Sequence, residues 1–174
     1  SDVRKIGEKD GKKKVCRFCG RSRQDRVSFS SKAHVIPEAF GNKILFCNEE
    51  CNDCNNFLGK NAEEMLVRFF DIDRWIMGCK GKNGFPCIKS NTGIGIRNNI
   101  TDGQRELIIS GVSKSSNMGN ISKEGQPASQ FDFNGLDIGK VYKGLAKMFI
   151  ETIDSKYLKV FQKTVQWVMS NENM

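Results

Sequence analysis

Cys16-Arg17-Phe18-Cys19-Gly20 and Cys51-Asn52-Asp53-Cys54-Asn55-Asn56 frame an interval of 31 residues that contains the chain's single histidine, in Ala33-His34-Val35-Ile36-Pro37. Two C-x-x-C pairs offer four thiolates on two knuckles, the donor set of a closed, tetrahedral structural Zn²⁺ site. Gly20 supplies the permissive backbone that a tight knuckle turn uses. Cys47, four residues before Cys51, is a competing ligand, and Cys79 and Cys87 read as buried thiols. A redox role for either pair is the weaker reading, because neither lies in a βαβ context. The interval is wider than a zinc ribbon or RING spacing, so an insert with its own role is expected inside the bracket.

Outward from the bracket the elements are short. Val27-Ser28-Phe29, Ala33-His34-Val35-Ile36 and Ile44-Leu45-Phe46 read as strand-like runs. Pro37 favours a helical first turn over Glu38-Ala39-Phe40, closed by Gly41-Asn42. After the second knuckle, Phe57, Leu58, Met65, Leu66, Phe69 and Phe70 line one side of a helical stretch. Residues 88–130 are rich in Gly, Asn and Ser; Gly93–Ile96 and Leu107–Ile109 read as strands of a small hairpin and 114–130 as a loop. Ile138, Val141, Leu145, Met148 and Phe149 keep a helical beat, as do Leu158, Phe161, Val165 and Val168, and these stripes read as core. Asp154-Ser155 is the expected break between two C-terminal helices.

The 174 residues suit one domain, and 38% hydrophobic composition is enough for a core. No run approaches the roughly 20 apolar residues of a membrane helix. The charged start lacks the apolar run of a secretory signal. Seven cysteines, an odd number with four in metal-type pairs, read as a reduced, cytoplasmic chain. Net charge is +8, and residues 1–32 hold 11 Lys and Arg against 4 acids. This concentration points to a polyanionic partner, DNA or RNA, with Lys12, Lys13, Lys14, Arg17, Arg21 and Arg23 as phosphate contacts.

The composite of Cys16-x-x-Cys19, His34-Val35-Ile36-Pro37 and Cys51-x-x-Cys54-Asn55-Asn56 with Gly59-Lys60 resembles the HNH endonuclease family in its zinc-bracketed form, over about residues 15–65. The resemblance implies an α+β fold with a zinc-bracketed ββα-metal (His-Me finger) core. It implies hydrolysis of phosphodiester bonds in DNA, sometimes RNA, around one catalytic divalent cation, Mg²⁺ or Mn²⁺. His34 matches the general base, a task suited to an imidazole because it titrates near neutral pH. Asn55 matches the helix residue that ligates the catalytic ion, with Asn56 one register on. Asn42 or Asn48 matches the middle Asn that braces the loop. Ala33 stands where the family commonly carries an acid, and Glu38 and Glu63 are the candidate replacements. The expected organisation is a flexible basic arm over 1–14, a nuclease core over 15–70, and a hairpin with C-terminal helices over 71–174 packed on that core. The alternative function is a non-catalytic, zinc-stabilised nucleic-acid-binding module.

Overall fold

The computed structural model describes residues 2–81, 84–85, 88–89, 95–101, 104–110 and 135–172. The chain divides into two compact units, Ser1–Phe70 with Leu136–Met174, and Asp71–Gly135. The stretch 71–174 is therefore not one body: its helical end belongs with the N-terminal residues.

In the first unit, strands β1 (Arg4–Ile6), β2 (Ala33–His34) and β3 (Leu45–Cys47) form a sheet in the order β1-β3-β2. β1 runs parallel to β3 and β2 antiparallel to it. The helices α1 (Asn52–Leu58) and α2 (Glu64–Phe69) are joined without a break by a π-helical turn, Gly59–Glu63. The second unit holds α3 (Asp71–Met77) and the strands β4 (Ile88–Lys89), β5 (Gly95–Thr101) and β6 (Gln104–Ser110), paired antiparallel in that order. The loop expected over 114–130, and Cys87, lie outside the described residues. The first unit is completed by α4 (Ile138–Thr152) and α5 (Gln162–Val168). A single helical turn, Ser155–Tyr157, separates them, with the Asp154 carboxylate accepting from the Lys156 amide at its start.

Three local expectations change. The N-terminal arm is tied down at Arg4–Ile6, because β3 has an open edge that β1 fills. Gly7 follows at φ 89°, with the Glu49 carboxylate occupying the space a Cβ would take, and the Glu8 amide donates to that carboxylate at 3.0 Å. Val27–Phe29 is not a strand. Asn52, at the start of α1, holds this segment instead: its amide donates to Ser28 O at 2.8 Å, and its side-chain oxygen accepts from Ser30 and Ser31 at 3.1 and 2.9 Å.

The third change is the face of α4. The expected core stripe leaves Ile138, Leu145 and Phe149 largely exposed. The buried face is Val141, Lys143, Gly144, Lys147, Ile150 and Glu151. Helix-to-helix contact at Gly144 explains the rotation, since a Cβ there would lie 2.7 Å from Leu66 Cβ and 3.1 Å from the Ala62 carbonyl. Only a residue without a side chain lets the two backbones come this close. The two buried lysines are tolerated because each finds oxygen acceptors; Lys143 donates to the Ser170 and Glu172 carbonyls, both at 2.7 Å.

Two apolar clusters result. The larger joins Cys16, Phe18, Val27, Cys51, Cys54, Leu58 and Ala62 to Ile150, Val165 and Val168. The smaller is Ala33, Val35 and Cys47, packed by Ile6, Ile36 and Leu45.

Candidate functional site

Each knuckle is built locally. In the first, the Cys16 amide donates to Arg21 O at 2.8 Å and the Gly20 amide returns to Cys16 O at 2.9 Å, folding the thiols of Cys16 and Cys19 to one side. In the second, Cys51 is the N-cap of α1 and Cys54 lies in its first turn. The four Sγ atoms lie within 4.8 Å of one another, and those of Cys19 and Cys51 are 3.8 Å apart. A Zn–S bond of about 2.3 Å in a tetrahedron requires sulfurs about 3.8 Å apart, so the cluster fits zinc. The Cys51 amide donates to Cys16 Sγ at 3.4 Å, and Arg21 Nε donates to Cys19 Sγ at 3.4 Å while its guanidinium pairs with Asp53 at 3.0 Å. Donors of this kind stabilise thiolates and orient them.

The thiols differ in proton affinity. A hydrogen bond from Cys54, helped by nearby backbone amides, holds Cys16 down at about 5 against the opposing effect of burial. Burial pushes Cys51 up to about 11. Cys54 is raised by its bond to the Cys16 sulfur and by burial. Four sulfurs so close cannot all ionise without a cation among them. Cys47 stands outside the cluster, in the smaller core, and desolvation followed by the charge of Glu151 pushes it up to about 12. It is a buried thiol and not a fifth ligand.

His34 lies on β2, opposite Phe46 of β3. Side chains alternate along a strand. Ala33 therefore points into the smaller core, 0% exposed, and His34 to the other face, its ring centroid 4.8 Å from that of Phe46. Asn42, rather than Asn48, braces the intervening loop with its side chain. Its amide nitrogen donates to Ile36 O and Leu45 O at 2.7 and 2.9 Å, and its oxygen accepts from Ile44 and Leu45 at 3.2 and 2.9 Å. Asn55 is half-buried on α1, and Asn56 is exposed. His34 and Asn55 thus sit on separate elements, and no hydrogen bond joins their side chains among the described residues. Of the candidate acids, Glu63 pairs with Lys147 at 2.7 Å. Glu38 is half-buried in a helical turn after Pro37.

The basic residues part company. Lys12 and Lys13 are exposed on a turn closed on Asp10, Lys14 is half-buried, and the Arg23 guanidinium lies near Gly11 of that turn. Arg17 turns inward and is 7% exposed. Its guanidinium donates to Glu49 at 2.8 Å, to the Ile150 and Ile153 carbonyls at 3.0 and 2.6 Å, and to Ser155 Oγ at 3.1 Å. It ties the first knuckle to the end of α4.

A polar cluster not expected from sequence lies on α4's buried face, in the same C-terminal half of the helix. Lys147 Nζ is 2.8 Å from Glu151, 2.7 Å from Glu63, 3.4 Å from Glu50 and 3.2 Å from the His34 carbonyl oxygen. Burial raises the proton affinity of Glu50 and Glu151, opposed by the charge of Lys147. The signal in the sequence was the i, i+4 pair Lys147/Glu151, aligned with Gly144 on one helical face.

Residues 16–71 match the HNH endonuclease family. That stretch runs from the first knuckle to the start of α3 and contains the four-cysteine cluster. No curated protein and no solved structure matches the chain.

Proposed function

We propose that the first unit is a metal-dependent endonuclease that hydrolyses phosphodiester bonds in DNA, with β2, β3 and α1 as its ββα-metal core. The observation that supports this most is the family match over 16–71, in a chain whose four-cysteine cluster brackets a strand presenting His34 away from the core. In this reading the neutral imidazole of His34 takes the proton of the attacking water, and Phe46 beneath the ring limits its orientation. Asn55 offers an amide oxygen, a hard donor suited to Mg²⁺ or Mn²⁺. Such an ion, when bound, supplies charge stabilisation for the phosphoryl group and the leaving oxygen. Among the described residues the only group of three or more His, Cys, Asp and Glu placed to hold a metal is the cysteine cluster. Asn55 would therefore leave most positions of the second ion to water and phosphate, as Mg²⁺ commonly has. Lys12, Lys13, Lys14, Arg21 and Arg23 are the proposed phosphate contacts; the donors of Arg17 are already taken. Zinc thiolates and free buried cysteines suit a reducing, cytoplasmic setting.

The buried Ala33, where the family commonly has an acid, favours the second reading, a zinc-stabilised module that binds nucleic acid without cutting it. Plasmid cleavage with Mg²⁺ or Mn²⁺, against EDTA, separates the two. If His34 is the base, His34→Ala lowers the cleavage rate roughly 10²–10⁴-fold. Zinc content and DNA affinity should stay as in the wild type. Wild-type cleavage by His34→Ala would overturn the assigned role, and no cleavage by the wild type would leave the binding module.

A further inference from the structure

β2 is an edge strand of two residues. The Val35 amide donates to Leu45 O at 3.3 Å. In an antiparallel ladder hydrogen-bonded and non-bonded pairs alternate, so His34, one residue before, directs its own amide and carbonyl away from β3. The carbonyl is met there by Lys147 Nζ at 3.2 Å. Lys147 cannot swing freely, because Glu151 and Glu63 hold it at 2.8 and 2.7 Å and Glu50 lies at 3.4 Å. Glu63 belongs to the π-helical turn that continues α1, which carries Asn55. Glu50 directly precedes the second knuckle. One ammonium thus touches the strand of His34, the helix of Asn55 and the lead-in to Cys51. It comes from α4, some 76 residues beyond the end of the family match at residue 71.

We propose that Lys147 is a positioning residue of the nuclease site: it fixes the strand of His34 against the helix of Asn55, so α4 is part of the catalytic unit and not an appendage. This rests on the nuclease reading above. The ammonium does not reach the imidazole ring and takes no part in proton transfer. It sets where the ring stands relative to the helix.

The test is a variant that removes the tie without stranding a buried charge: Lys147→Met with Glu50→Gln and Glu151→Gln. Neutralising the fully buried members together is commonly tolerated, and the remaining acid, Glu63, reaches solvent. Two readouts are taken on protein with full zinc content. The first is plasmid cleavage; kcat should fall roughly 100-fold, the scale of a misplacement of about 1 Å, with KM within about twofold of wild type. The second is the imidazole proton–nitrogen NMR spectrum, unambiguous because the chain has a single histidine. Its signals should shift, since the ring moves over Phe46. A wild-type kcat, or a lowered kcat with an unmoved imidazole signal, overturns the positioning role. An inactive wild type overturns the nuclease reading instead, and the imidazole signal alone then decides whether Lys147 sets the histidine. If the triple variant loses zinc or fold, Glu63→Gln cuts the helix side of the tie. It should give the same two changes at smaller size, about threefold in kcat; unchanged values overturn the proposal.

Discussion

The N-terminal knuckles and the buried face of α4 both fasten the first unit, by opposite means. At the knuckles, four like groups from two local motifs converge, and a cation must come from outside to hold them. At Lys147, three segments distant in sequence and one residue of its own helix converge on a cation that the chain supplies itself. The first arrangement depends on an ion and on proton concentration; the second depends on every partner being present. A site built from short motifs tolerates change elsewhere, whereas a site closed by a distant helix does not.

The sharpest way to break this contrast is at the metal. Cys19→Ser, or zinc removal by a chelator, should unfold the first unit, because structural zinc contributes on the order of 10 kcal/mol at neutral pH. Circular dichroism with metal analysis checks it; a cooperatively folded, zinc-free protein would refute it. The same end should respond to acid. Without the metal, the Cys54 thiol's hydrogen bond already holds Cys16 below the ordinary thiol value. Zinc retention, followed with a colorimetric chelator, should fall in acid, because protons compete with the ion for all four thiolates.

Next in size is Lys147→Met alone. It leaves buried carboxylates unpaired and should cost about 3–5 kcal/mol, with zinc still bound. Denaturant melts should place the triple variant, in which only the partly exposed Glu63 keeps its charge, much nearer wild type; equal losses for both would mean the cluster acts by packing and not by charge. The smallest effect belongs to Gly144→Ala. Its methyl group meets Leu66 and the Ala62 carbonyl. Overpacking of this kind costs about 1–3 kcal/mol, read as a lowered Tm. No change in Tm would mean that α4 stands off from the π-helical turn more than the described geometry allows.

The zinc bracket was legible because C-x-x-C carries its chemistry in its spacing. His34 stood out as the only histidine between two knuckles. The face of α4 was not legible, since hydropathy assigns Ile138, Leu145 and Phe149 to the inside and lysines to the outside. The structure reverses this where Glu50 and Glu63 from other segments join Glu151 of the same helix to receive Lys147. Those partners are 84 or more residues away for Glu63 and Glu50, and no local period encodes them. Arg17 misled for the same reason: in sequence it is one basic residue among many, and only the arrival of Ile150 and Ile153 turns it inward. Val27–Phe29 failed because one residue, Asn52, met this segment in place of a neighbouring strand, with its backbone amide on Ser28 and its side chain on Ser30 and Ser31.

The bond from Arg17 to the Ile150 carbonyl spans 133 residues. On a ribosome adding about 5–20 residues per second, the knuckle exists for on the order of ten seconds before its acceptor has been made. Throughout that interval a nascent chain can load zinc but cannot seat Arg17. The metal end is therefore assembled first and the lysine end last, so an emerging chain acquires its histidine strand long before that strand has its outer support.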